Sequence, residues 1–312
     1  MTSIDITSML KEGLQREVDS PVVVEEAPYM YPIKKRTWEN WFPFAYRAFQ
    51  KLNPLTIRSF ATIGAGSGAD AIGALHVFNH LDTIVITDVD ERIVPLTERN
   101  IKRYCWGVNL VAVIGSLCQP LRDHGLKVDL IYENLPNIPD VEDITKEYRR
   151  SSRYKACSFE SCDEQAKAYL LESHFAFLQE AKGSLNRGGS ALCSIGGRVP
   201  YDILQSLVQS AGYRFEELVA GFKVQTEPEE VLSGYAEAEK EEVSFDFYRY
   251  NEAVEFLKKQ GMEEPFVELP GEQLKNLLVP WRISAQEALQ LYQQEQSYRI
   301  GHTVLVIQAF KE

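Results

Sequence analysis

An α/β fold, a seven-stranded doubly wound sheet, is predicted by three observations in this 312-residue sequence. From Ile57 onward, short apolar runs alternate with stretches of helical period, the rhythm of a mostly parallel sheet with helices on both faces. The first run ends in the glycine-rich turn Gly64-Ala65-Gly66-Ser67-Gly68, which opens a helix. A last apolar run, His302 to Phe310, returns after a long interruption to complete the sheet.

Each element follows in order. Residues 1–19 place Ile6, Met9, Leu10 and Leu14 at three- and four-residue spacings and read as a helix. Pro21-Val22-Val23-Val24 is a short extended piece. The aromatic-rich segment Pro28 to Phe49 is broken by Pro28, Pro32 and Pro43, so it cannot be one straight helix. Residues 1–56 are therefore taken as an N-terminal helical cap or a lid.

Residues 57–312 read as the ligand-binding, catalytic domain. Its first three strands, Phe60 to Ile63, Thr83 to Thr87 and Leu110 to Ile114, are separated by helices Ala69 to Asn79 and Ile93 to Tyr104. Val128 to Tyr132 is the fourth strand, followed by one long helix from Asp163 to Lys182 and a fifth strand, Ser190 to Ser194. A helix over Tyr201 to Ala211 and a strand over Arg214 to Val219 precede the final strand. Residues 226–299 break the rhythm: EPEEVLSGYAEAEKEE and SAQEALQLYQQEQ read as solvated helices in an insertion before the last strand.

Composition narrows the function. With 33 basic against 45 acidic residues the formal net charge is −12, which offers no attraction for phosphate backbones or anionic membranes. The partner expected is a small-molecule substrate, with no nucleic acid and no membrane, and room is left for a homo-oligomer. No apolar run approaches the roughly 18 residues of a membrane span. The N-terminus lacks a signal-peptide layout, and five cysteines without a CxxC pair suggest neither disulfides nor zinc. A cytoplasmic, reduced protein is expected. His76 and His80 have metal spacing on a helix but lack a third ligand, so no metal is expected. Cys193 reads as a packing residue of the sheet.

The chemistry concentrates at strand ends. Alternate glycines let the backbone turn sharply and approach a ligand beside the positive end of a helix. Asp88 ends the second strand, 20 residues after Gly68, where an acid accepts hydrogen bonds from a ribose diol. Two ligands fit these features, a dinucleotide or S-adenosylmethionine. The loop is GxGxG and lacks the GxGxxG spacing that seats a pyrophosphate, and a polar turn, Glu133-Asn134-Leu135-Pro136, follows the fourth strand. Both features favour S-adenosylmethionine.

On these residues the sequence resembles the class I methyltransferase family, over Ile57 to Val219 and the final strand. The loop matches the family's first motif, Asp88 its ribose acid, Ser116-Leu117 its adenine contact, and Asn134-Leu135-Pro136-Asn137 its fourth motif. Thr62 and Ser116 depart from it, standing where acids are common. The resemblance implies a Rossmann-like fold that takes S-adenosylmethionine. The residues implied to bind it are Gly64, Ala65, Gly66, Gly68, Asp88, Ser116, Leu117, Glu133 and Asn134, joined by Tyr29 and Tyr31 of the cap. Trp38 and Trp41 are further lid candidates.

A narrower stretch, Val128 to Tyr248, is similar to the methionine S-methyltransferases, most specifically in Gly196-Gly197-Arg198-Val199-Pro200. The trio Asn134, Tyr169 and Ser194 is similar to one in the azetidine-2-carboxylate synthases. That likeness implies a cyclase, in which the amine of S-adenosylmethionine attacks its own γ-carbon and expels 5′-methylthioadenosine. Neutral amide and hydroxyl acceptors suit such a reaction, because the nucleophile is an uncharged amine held in line with the carbon–sulfur bond. The alternative is a methyltransferase acting on methionine sulfur or another small amino acid or amine. An idle ligand-binding module is the remaining reading.

Overall fold

The structure, a computed structural model, describes residues 1–136, 163–263 and 265–311. Asn137, Cys157 and Cys162 lie outside the described residues. The chain opens with β1 (Thr2–Asp5) and β2 (Val23–Glu26), an antiparallel ribbon. The central strands then follow as β3 (Ser59–Ile63), β4 (Thr83–Asp88), β5 (Asn109–Ile114), β6 (Val128–Glu133) and β7 (Leu185–Gly196). After them come β8 (Arg214–Val224), β9 (Phe247–Arg249), β10 (Arg282–Ile283) and β11 (Ile300–Phe310).

Strands β3 to β7 pair in parallel in the order β5-β4-β3-β6-β7. The antiparallel β11 lies between β7 and β8. Seven strands in this order, with the last reversed and tucked beside the fifth, make a doubly wound, Rossmann-like sheet of the class I methyltransferase type. The order in which strands are added reverses between β3 and β6, so the carboxyl ends of β3, β4, β6 and β7 open a crevice at the switch point.

Both faces of the sheet are covered. On one face the helices Thr7–Leu14, Phe42–Lys51 and Ala69–Val77 bury Leu10, Phe44, Tyr46, Phe49 and Ile72 against Phe60, Ile84 and Tyr132. Phe49 meets Phe60 and Tyr132 edge-on, at 5.5 and 5.4 Å between ring centroids. The cap thus shares a core with the central sheet. On the other face the helices Glu172–Ala181 and Tyr201–Ser210 cover Ala61, Ile131, Cys193 and Ile307. Cys193 is wholly buried there.

Four expectations are corrected. Residues 1–19 are not one helix: Thr2–Asp5 is paired strand, and Asp5 stops it by accepting the Thr7 backbone N–H at 2.8 Å. The long helix after the fourth strand is two, Glu164–Ala168 and Glu172–Ala181, parted by Leu170 in the left-handed region (φ 60°). That turn lets Leu171 be wholly buried, while a straight helix would follow its own periodicity. The sheet has nine strands among the described residues, because β9 and β10 extend it beyond the expected seven.

Those two strands come from the insertion, which is far from a solvated appendage. Tyr235, Phe247 and Tyr248 are wholly buried, and Tyr235 packs edge-on to Phe245 and Phe247 at 4.7 and 5.5 Å. The acidic residues between them hid this apolar set from a compositional reading. β9 pairs with the first residues of β11, Ile300 and Gly301, at the crevice end of the sheet. No helix among the described residues is long and apolar enough to cross a membrane.

Candidate functional site

The crevice is a cavity of about 290 Å³ at the carboxyl ends of the parallel strands. The loop after β3 forms one wall. Gly64, Gly66 and Gly68 take φ of 68°, 49° and 83°, conformations that side chains disfavour. The loop is anchored from behind. The Ala65 N–H donates to the Thr87 carbonyl at 2.9 Å, and Asn100 Nδ2 donates to the Ser67 and Glu25 carbonyls, each at 2.9 Å. The Thr97 hydroxyl donates to the Gly66 carbonyl. A Cβ on Gly66 would meet nothing closer than 4.0 Å, so this part of the loop faces open space.

Asp88 closes the cavity beside the glycine loop. It is 8% exposed and accepts the N–H groups of Gly66 at 3.3 Å and Asp90 at 3.1 Å. Burial raises its carboxyl above the usual range, and the two amide hydrogen bonds oppose that shift. Gly115 and Leu117 continue this wall, with Leu117 in the left-handed region at φ 47°. Ser116 and Gly68 stand outside the lining. Gly68 faces Ile101 and Thr97, where a Cβ would sit 3.0 to 3.1 Å from their side chains.

The other end gathers Asn134, Leu135, Pro136 and Ser194. Glu133 does not reach it. Its carboxylate is wholly buried, accepting the Leu135 N–H at 2.7 Å through Oε2 and facing His174 Nδ1 at 2.8 Å through Oε1. Expected among the ligand-binding residues, Glu133 here forms a tie that shapes the Asn134 turn. Tyr169 is likewise outside the lining, standing edge-on to Phe245 at 5.9 Å. Two members of the expected trio, Asn134 and Ser194, therefore share the cavity wall. The break at Leu170 sets the placement of the third.

The cap supplies the roof. Tyr29, Tyr31 and Trp41 line the cavity. Tyr29 stacks on the Arg92 guanidinium at 4.4 Å. The Tyr31 hydroxyl meets Thr226 Oγ1 at 2.8 Å, and its phenol is pushed up to about 12 by burial. Lys34 pairs with Glu227. These contacts join the cap to the start of the insertion across the cavity mouth. Trp38 is outside the lining.

Among the lining residues that sequence reasoning did not place in the site are Asp70, Gln225 and Arg198, the last named only for its motif. Arg198 is 2% exposed, and its Nε donates to Gln225 Oε1 at 2.9 Å. The turn carrying it is clamped by the insertion: Lys275 Nζ donates to the Gly197 carbonyl at 2.7 Å and pairs with Asp246 at 2.7 Å. Asp70 carries a legible signal, an acid in the first turn of the helix that the glycine loop opens. Among the described residues no group of three or more His, Cys, Asp or Glu is placed to hold a metal ion.

No family model matches the chain, and no curated protein does. Solved structures with some likeness include precorrin-6y C5,15-methyltransferase of Geobacter metallireducens, at 11% identity and a TM-score of 0.37 over 86% of this chain and 85% of that one. A ribosomal protein L11 methylase of Lactobacillus delbrueckii gives 16% identity and 0.38, over 58% of this chain and 71% of that one. Precorrin-8w decarboxylase of Methanobacterium thermoautotrophicum gives 8% and 0.39, over 90% and 95%. The fold assignment rests on the strand order and register described above.

Proposed function

We propose that this chain is an enzyme consuming S-adenosylmethionine by ring closure, giving azetidine-2-carboxylate and 5′-methylthioadenosine. The observation that carries the reading is the single roofed cavity with the glycine loop and Asp88 at one end and Asn134 and Ser194 at the other. Its volume, about 290 Å³, sits at the small end of ligand pockets, so it suits one folded ligand and leaves little room for a second. Ser194 Oγ is sealed from solvent and faces only the Tyr132 hydroxyl among the described residues, which leaves it capacity for a polar group arriving with the ligand.

In this reading Asp88 accepts the ribose hydroxyls and the glycine loop follows the chain between ribose and amino acid. The Asn134 amide and the Ser194 hydroxyl orient the amine toward the carbon it attacks, worth several kcal/mol as a positioning effect. Tyr31 and Trp41 offer aromatic faces to the sulfonium and help exclude water.

One observation favours a second reading. Arg198, a buried cation in the cavity wall, suits the carboxylate of an acceptor such as methionine, and methyl transfer would then replace ring closure. Incubation with S-adenosylmethionine alone, with products resolved by mass, separates the two. Equal amounts of methylthioadenosine and azetidine-2-carboxylate are expected. Formation of S-adenosylhomocysteine only once methionine is added would sink the cyclase and install methyl transfer.

A further inference from the structure

Four buried polar atoms gather in one corner: Thr62 Oγ1 and Asp70 Oδ1, without a hydrogen-bond partner among the described residues, and Tyr132 OH and Ser194 Oγ, which face each other. Thr62 and Tyr132 are register partners on β3 and β6, and Tyr132 pairs with Leu192 on β7, two residues before Ser194. Side chains alternate along a strand, so all three project from the same face of the sheet. That face is the one on which the helix Ala69–Val77 packs, and Asp70 stands in its first turn. Asp70 and Ser194 line the cavity. An unpaired buried polar group is costly, so folded proteins carry few of them.

The chemistry of the corner specifies its guest. Tyr46 and Tyr132 are the titratable groups that feel the Asp70 charge from the elements packed on it, and both phenols are pushed far up by burial and stay neutral. The Tyr46 hydroxyl is committed to the Ala69 carbonyl at 2.9 Å. Burial alone raises the Asp70 carboxyl to about 7, with no neighbouring cation to hold it down. Of the other lining carboxylates, Asp88 and Asp90 stand beside the glycine loop and Glu227 pairs with Lys34. An acid flanked by hydroxyl acceptors and by no positive side chain matches a primary ammonium, which brings one positive charge and three donors.

We infer that Asp70 is the proton acceptor of the ring closure, its carboxylate taking a proton from the substrate's α-ammonium. This rests on the function proposed above. The transfer leaves a neutral amine and a carboxylic acid. The nitrogen lone pair then forms the bond to the γ-carbon as the carbon–sulfur pair leaves with sulfur, which becomes the neutral thioether of methylthioadenosine. The ring nitrogen carries the positive charge away, and Asp70 returns its proton to solvent when the product leaves. An ordinary carboxylate near pH 4 would lock the amine in its charged form. One near 7 lies about one unit from an α-amine, so the proton moves at little cost.

The test compares wild type with Asp70→Asn and Asp70→Glu, reading S-adenosylmethionine affinity by calorimetry and methylthioadenosine formation from pH 5.5 to 9. Wild-type kcat/KM is expected to rise through about 7. Asp70→Asn is expected to lose at least ~10²-fold in kcat with affinity kept within tenfold, and Asp70→Glu to recover part of the rate. Turnover by Asp70→Asn within threefold of wild type, with the same pH limb, would overturn the assignment. Should Asp70→Asn fail to fold, the absence of that limb in wild type, or an Asp70→Glu enzyme without it, would overturn it as well. A wild-type protein that binds no S-adenosylmethionine, or yields only S-adenosylhomocysteine, refutes the ring-closing reading itself and is recognised before any variant is made.

Discussion

Asn134 and Lys223 show how differently single residues in one site region are settled. Asn134 is placed by its turn: Glu133, pinned between His174 and the Leu135 amide, leaves the next side chain at the cavity wall. Asn134→Ala is expected to lower turnover by at least ~10²-fold with little change in melting temperature. A loss below tenfold would remove Asn134 from the mechanism. Lys223 lies behind the roof, wholly buried, its Nζ 4.8 Å over the Trp41 ring and without a hydrogen-bond partner among the described residues. Burial, helped by the Arg198 charge, pushes its ammonium down to about 7. Between that value and the usual 10.5 the unfolded chain binds more protons than the folded one. Stability therefore rises with pH across this window, by up to about 1.4 kcal/mol per pH unit. Lys223→Met lacks this contribution. Denaturant unfolding of both proteins at pH 7 and 9 measures it, and equal pH dependence would refute the buried, depressed lysine.

Among the elements, the helix Ala69–Val77 is the one most constrained by its neighbours. Its Gly73 admits the Tyr46 ring, and a Cβ there would lie 2.0 Å from Tyr46 Cε1. Gly73→Ala thus sets a helix-propensity gain of about 1 kcal/mol against overpacking of 1 to 3 kcal/mol or more. A net loss near 2 kcal/mol is expected, turning into a gain in a Tyr46→Ala background. The same loss in both backgrounds would show that the ring is not what Gly73 accommodates. The insertion plays a comparable part at the other side of the site. Its Lys275 and Asp246 fix the Gly197 turn, and its opening residues Thr226 and Glu227 receive Tyr31 and Lys34 from the cap. Two segments distant in sequence from the glycine loop thereby hold the roof and far wall of the cavity.

At the scale of the whole molecule, the first residues belong to the core. Ile6, Met9, Leu10, Leu14, Val22 and Val24 are buried in the cluster that also contains β3, β4 and β6. Fully burying one such side chain contributes about 1.5 to 3 kcal/mol, and six of them rival the whole net stability of a typical domain. Removing residues 1–26 is expected to abolish cooperative unfolding and the near-ultraviolet circular dichroism of packed aromatics. A shortened chain that still unfolds cooperatively, with the aromatic signal intact, would make this segment an appendage.

The sheet, the glycine loop and Asp88 were legible in the sequence because they depend on local patterns. A β-rich apolar run, glycines at positions needing positive φ and an acid at a strand end are each written within a few consecutive residues. The alternation of strands and helices likewise determined the class of fold. What only the tertiary structure decided depends on neighbours far apart in the chain. The turn at Leu170 moved Tyr169 to Phe245, and burial of Tyr235 and Phe247 made core of an acidic insertion. Packing of the helix Ala69–Val77 against β3, β6 and β7 set Asp70 beside buried hydroxyls. Burial and the absence of a counter-charge are sums over all surrounding atoms. They give a carboxylate a chemistry that its place in the sequence does not contain.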